Sequence, residues 1–178
     1  MNALTDELIR ARVLASAVGG DEVAFAQIVD AHSGDMARVA YLVCGEVDVA
    51  HEAVQAAWVI AWRKLGSVRD PQRLKSWLVS VAANEARQAI RRRRVRPVVE
   101  IAADAGDPTS DTARTDTRLD LARALLVLSP EDRAIVAMRY ALGLTSDEIA
   151  TATGRSAVGV RSRLARGLAR LRKEVGDD

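Results

Sequence analysis

One stretch constrains the fold more than any other: LTSDEIATATGRSAVGVRSRLARGLARLRK, residues 144–173. Thr145 with Glu148 three residues on reads as a capping box, a pair of reciprocal hydrogen bonds that starts a helix by satisfying its free amides. Gly154 then closes that helix, because glycine adopts the left-handed backbone that a C-terminal cap needs. Ser156 opens a second helix, along one side of which Val160, Leu164, Leu168 and Leu171 recur. Caps and period together predict a short helix, a tight turn and a longer helix, the spacing of a helix-turn-helix. Just upstream, Ser129, Pro130 and Asp132 in LSPEDRAIVAMRY repeat the punctuation of a helix start.

The second of those helices is strongly basic. Between Arg155 and Glu174 lie Arg155, Arg161, Arg163, Arg166, Arg170, Arg172 and Lys173, seven cations against one acid. The valine and leucines account for its apolar side. Arginine and the small residues Ser156, Ala157, Gly159 and Ser162 remain for the other. Small residues at the helix start allow close approach to a groove, and arginine pairs with guanine edges or neutralises phosphate. A solvated basic face is the plainer reading; the helix-turn-helix context favours DNA.

The rest of the chain is read as helical too. Its 49% hydrophobic content with only 3% aromatic suits closely packed helices, and no sheet pattern appears. Residues 1–20 are a helical or flexible N-terminal segment. A first helical domain spans 21–96, with Val54, Trp58, Ala61, Trp62 and Leu65 on one stripe and Gly66 as a stop. The Asp-Pro step in SVRDPQ marks a loop before a helix from near Arg73 that runs to Pro97. Residues 97–118, rich in Asp, Thr, Gly and Ala, read as a flexible acidic linker, and 119–178 as a second domain. The expected fold class is all-α: two small helical domains on a tether, the C-terminal one carrying the helix-turn-helix.

Net charge, +2, says little; its distribution says more, with arginines crowding 91–96 and 155–172 and acids 100–116. Arginine at 91–94 and 96 ends a helix, where cations favour the dipole, yet so many of them also suit a phosphate backbone. On the same helix Asn84, Arg87 and Gln88 oppose the Trp77, Leu78 and Val81 stripe and face outward to a nucleic-acid strand. The tryptophans Trp58, Trp62 and Trp77 read as core rather than as base-stacking platforms.

Catalysis finds no support. His32 and His51 lack further ligands at metal spacing, and no GxxxxGK[ST], GxGxxG or GxSxG appears. Neither catalytic residues, metal nor cofactor are expected, nor a small-molecule substrate. Cys44, in VAYLVCG, reads as a buried structural thiol. The N-terminal residues lack a signal peptide's apolar run, and no window reaches 18 apolar residues, so a cytoplasmic protein without membrane insertion is expected.

These residues resemble the extracytoplasmic-function, or group IV, sigma factors of bacterial RNA polymerase, in the sigma-70 family. DVAHEAVQAAWVIAWRKLGSVRDPQRLKSWLVSVAANEARQAIRRRR is similar to sigma domain 2, and LSPEDRAIVAMRYALGLTSDEIATATGRSAVGVRSRLARGLARLR to sigma domain 4. The resemblance implies that Asp48, Glu52, Gln55 and Trp62 bind the clamp coiled coil of the polymerase's largest subunit, with the flap as a second contact. It implies that Asn84, with Arg87, Gln88, Arg91 and Arg92, captures an extruded base of the −10 element. Arg155, Ser156, Val158, Gly159, Arg161, Ser162, Arg163 and Arg166 would read the −35 element. It also implies an anti-sigma factor as a partner.

The chain departs from the pattern in Ala50-His51-Glu52-Ala53, less acidic than usual, and in Ala165, where histidine is common. Two other readings stay open: a stand-alone helix-turn-helix regulator, and a sigma-like interaction protein unable to melt DNA. A dimerisation surface for a palindromic site would mark the former.

Overall fold

In the computed structural model, which describes residues 3–95 and 122–176, the regular elements are all helical. They are α1 (Ala3–Val18), α2 (Glu22–Cys44), α3 (Val47–Lys64), α4 (Leu74–Val95), α5 (Pro130–Val136), α6 (Ser146–Thr153) and α7 (Ala157–Gly176). The acidic stretch 97–118 and Arg96 lie outside the described residues, as do the side chains from Arg94 onward in that run.

Local chemistry sets the boundaries. Asp21 caps α2, its carboxylate accepting from the amides of Val23 at 2.9 Å and Ala24 at 3.1 Å. Gly45 ends α2 at φ 79°, a left-handed backbone that a side chain would strain. Asp70 accepts from the Gln72 amide at 2.9 Å, and the Pro71–Arg73 turn hands the chain to α4. α5 runs on into a π-helical turn over Ala137–Ala141, which widens the backbone before Gly143 at φ 71°.

Helices α2, α3 and α4 form the core of the N-terminal half. Their contact lines are largely alanine: Ala40, Ala53, Ala57, Ala61, Ala82 and Ala86 are fully buried. Alanine lets helix axes approach closely, and Met36, Val39, Val43, Leu65 and Leu78 fill the remaining space. Truncating Leu78 to alanine removes enough packed volume to cost about 2–5 kcal/mol. α1, the segment expected to be helical or flexible, is a helix that docks Leu14 and Ala17 on this core.

Two of the three tryptophans behave as core residues. Trp58 and Trp77 are half-buried against it. Trp62 is 42% exposed, with its ring edge-to-face on Phe25 at 4.7 Å. It sits one residue, about 100° of helix, round from buried Ala61, which takes the inward position.

The C-terminal helices build a core of their own around Ile135, Met138, Ile149, Val160 and Leu164. They also pack on the N-terminal half: α5 lies on α2 and α6 on α4, and the buried apolar residues form one continuous cluster. Leu126 fits against Gly45, and Arg38 donates to the Ala141 carbonyl at 3.3 Å. The two blocks therefore face each other across a shared interface.

Candidate nucleic-acid interface

The helix-turn-helix forms as its caps predict. The Thr145 amide donates to the Glu148 carboxylate at 2.7 Å and the Glu148 amide donates to the Thr145 hydroxyl at 3.2 Å, a complete capping box. The Thr145 amide and the Thr145 hydroxyl, which donates to the same carboxylate at 2.7 Å, favour its ionised form and hold Glu148 below its ordinary pKa. Gly154 turns the chain at φ 67°, and the Arg155 amide closes back on the Ala150 carbonyl at 2.9 Å. Ser156 caps α7, its hydroxyl accepting from the Gly159 amide at 3.1 Å. A Cβ on Gly159 would come within 3.0 Å of that hydroxyl, so glycine is the fitting residue there.

α7 buries Val160 and Leu164 against α5 and α6. Arg155, Ser156, Val158, Arg161, Ser162 and Arg166 are exposed, and Gly159 is half-exposed between them. From Val158 onward these residues follow the three-and-four spacing of one helix face, with exposed Ala165 among them. Arg166 donates to the Ser162 hydroxyl. This face is basic, free of bulky side chains near its start and open for Arg161 and Arg166 to reach a groove.

Arg163 differs from the other arginines. It is half-buried, donates to Asp132 at 2.7 Å and lies 3.0 Å from Glu131. Arg155 pairs with Glu131 as well. Asp132 thus serves two purposes, because its other oxygen accepts from the Ser129 hydroxyl at the start of α5. Sequence reasoning found Asp132 as a cap partner and missed Glu131. Pro130 fixes the first turn of α5, where Glu131 and Asp132 stand side by side, but does not say which cations they meet.

On α4, Asn84 is exposed and its amide oxygen accepts from Arg87 at 2.9 Å. Gln88 donates to buried Glu85 at 2.8 Å. Burial lowers the pKa of Arg87, whose Nε is enclosed without a hydrogen-bond partner. Arg91 and Arg92 point to solvent, and Arg93 pairs with Glu46. Asn84, Arg87 and Gln88 line a cleft of about 480 Å³ between the blocks, together with Trp77, Glu131 and Arg155. A smaller hollow of about 270 Å³ lies under the 67–73 loop, bounded by Trp77 and by Thr151 and Ala152 of α6.

The remaining predicted residues share a different face. Asp48, Glu52, Gln55 and Trp62 are all exposed on α3 at spacings of four, three and seven, which put them on one stripe. Val59, 52% exposed, completes it. An acidic start followed by two exposed apolar side chains is a surface suited to a protein partner.

Among the described residues no group of three or more His, Cys, Asp or Glu is placed to hold a metal, and no helix is long and apolar enough to cross a membrane. Cys44 is buried as predicted; burial raises its pKa, and its thiol donates to the Ala40 carbonyl at 3.0 Å.

Two family models match the chain: sigma-70 region 2 over residues 28–96 and sigma-70 region 4 over 118–171. The chain is 32% identical to the ECF RNA polymerase sigma factor SigM of Mycobacterium tuberculosis, over 96% of this chain and 86% of that protein. It spans less than half, 46%, of one longer curated relative at 29% identity. Among solved structures it is similar to CnrH in complex with the cytosolic domain of CnrY, with a TM-score of 0.69, 25% identity and coverage of 93% and 96% of the two chains. A likeness in fold links it to the sigma factor RpoE of Bartonella quintana in complex with the anti-sigma factor NepR, with a TM-score of 0.65, 23% identity and coverage of 86% and 98%.

Proposed function

The chain belongs to the extracytoplasmic-function group of sigma-70 family RNA polymerase sigma factors, and from that premise we propose how its surfaces divide the work. It is an alternative sigma factor, a promoter-specificity subunit of RNA polymerase. It binds core polymerase and promoter DNA, and chemistry at the nucleotide is left to the polymerase. Residues 21–96 act as domain 2 and 119–178 as domain 4, with 97–118 joining them. Its place of action is the cytoplasm.

The observation that carries the reading is the division of exposed side chains into one basic helix-turn-helix face and one acidic-to-apolar stripe on α3. The stripe of Asp48, Glu52, Gln55 and Trp62 takes the clamp coiled coil. On α7, Arg155, Ser156, Val158, Gly159, Arg161, Ser162 and Arg166 meet the −35 major groove. Arg161 and Arg166 are the residues best exposed for guanine edges or phosphates. Arg163 joins them once freed from its carboxylates.

Asn84 receives an extruded −10 base, with Arg87, Gln88, Arg91 and Arg92 along the strand. Unstacking a base costs a few kcal/mol, which contacts across the polymerase complex offset. An anti-sigma factor is a further partner, supported by the complexes in which similar folds were solved.

Run-off transcription with purified core polymerase on a pool of promoter fragments tests the proposal. New start sites that share −35 and −10 sequences, and that vanish with Asn84→Ala, support it. Binding to core polymerase without new transcripts favours a sigma-like interaction protein. Duplex binding with no polymerase binding favours a stand-alone regulator.

A further inference from the structure

The two surfaces assigned to promoter DNA meet in one cleft and converge on one carboxylate. Arg87 of α4 lies 3.5 Å from one oxygen of Glu131, and Arg155, in the turn before α7, pairs with the same oxygen. Arg163 of α7 reaches the other at 3.0 Å. Arginine forks recognise carboxylate and phosphate with the same geometry, so this cluster is also the one that a DNA phosphate would form. The crowding is felt electrostatically: burial, then Arg163, then Arg87, lowers the pKa of Arg155.

The surroundings fit a closed arrangement. Asn84 and Gln88 line the cleft that Arg155 and Glu131 border. Thr151 and Ala152 close the hollow under the 67–73 loop from the opposite block. The α3 stripe of Asp48, Glu52, Gln55 and Trp62 takes no part in either hollow and stays exposed.

We propose that Glu131 is a latch: an internal stand-in for a DNA phosphate that holds Arg87 of the −10 surface together with Arg155 and Arg163 of the −35 surface, so that these three arginines are withheld from DNA jointly and released jointly. The inference rests on reading those surfaces as DNA-binding. Coupling follows by linkage. A DNA phosphate that takes the place of Glu131 beside Arg155 and Arg163 expels the carboxylate by like-charge repulsion and so releases its contact with Arg87, and opening the cleft favours duplex binding to the same extent. Polymerase, which would engage the exposed stripe, can bind the closed chain first.

The test uses the full-length chain without polymerase. A short mixed-sequence fluorescent duplex reports affinity by anisotropy at fixed salt, and small-angle scattering reports the radius of gyration. Glu131→Gln is expected to tighten duplex binding about tenfold and to enlarge the particle. Asp132→Asn removes the same charge but only loosens Arg163, which keeps Glu131 within the C-terminal block, so a smaller gain at wild-type size is expected. If Glu131→Gln melts below the assay temperature, Glu131→Asp keeps the charge, shortens the reach and should shift both readouts in the same direction.

Unchanged affinity and size in the Glu131 variants would overturn the latch, as would equal gains from Asp132→Asn. Polymerase-dependent transcription by the wild type, measured in parallel, separates the two readings: transcription with no effect of Glu131→Gln refutes the latch alone.

Discussion

Arg163 on the recognition helix donates to Asp132 at 2.7 Å, so an arginine that sequence places among the DNA readers is tied in the folded chain to the first turn of α5. Arg161, two residues earlier, is exposed. The pair separates an arginine exposed to solvent from one that braces the fold.

Arg161→Ala should therefore weaken duplex binding and reduce the salt slope by about 0.9 if it meets a phosphate, with the melting temperature unchanged. Arg163→Ala should weaken binding and also lower the melting temperature. The loss is modest, about 1 kcal/mol or less, because the pair is partly solvent-screened. Anisotropy titrations at several salt concentrations, with thermal denaturation of each variant, check both.

The α3 stripe predicts a different phenotype. Glu52→Lys and Val59→Asp change exposed residues only, so helicity and melting temperature should stay at wild-type values. Affinity for core polymerase should fall about tenfold or more. Titration of labelled chain with core polymerase measures this directly, and a stripe without that role would leave affinity unchanged.

Glu148 predicts a pH dependence. Its folded pKa lies below the usual carboxylate value, because the Thr145 amide and hydroxyl both donate to it. A depressed carboxylate stabilises the fold above its unfolded pKa and loses that contribution as pH falls through the folded one. Glu148→Gln should then be less stable than wild type at neutral pH, by at most about 1 kcal/mol after solvent screening. Denaturant melts should converge at acid pH, below the carboxylate range.

Cys44 should be slow towards thiol reagents in the native chain, because burial raises its pKa and leaves little thiolate. Reaction with a disulfide reagent at mildly alkaline pH should be slow when folded and rapid in denaturant.

Much of the site was legible in the sequence because it is written in local chemistry. Thr145, Glu148, Gly154 and Ser156 act within a turn of themselves, and the structure uses each as its side chain dictates. The α3 stripe came from the resemblance to sigma domain 2 rather than from spacing, which had put Trp62 with the core. Trp62 was read into the core stripe and lies outside it, because one residue, about 100° of helix, decides exposure when small alanines set the inward line.

The role of Glu131 was not legible. Arg87 is brought to it by packing α5 and α6 on the N-terminal half and Arg155 by packing the helix-turn-helix on α5, and nothing local to PED announces the contact with Arg87. The joining of the two blocks through a continuous core was hidden for the same reason.

The most direct test of the central claim is permanganate probing of the −10 region on a promoter recovered by the transcription screen. Reactive thymines should appear only when core polymerase and this chain are both present, and should be lost with Asn84→Ala while polymerase binding persists. Polymerase bound to the chain on that DNA with no reactive thymines would contradict the account.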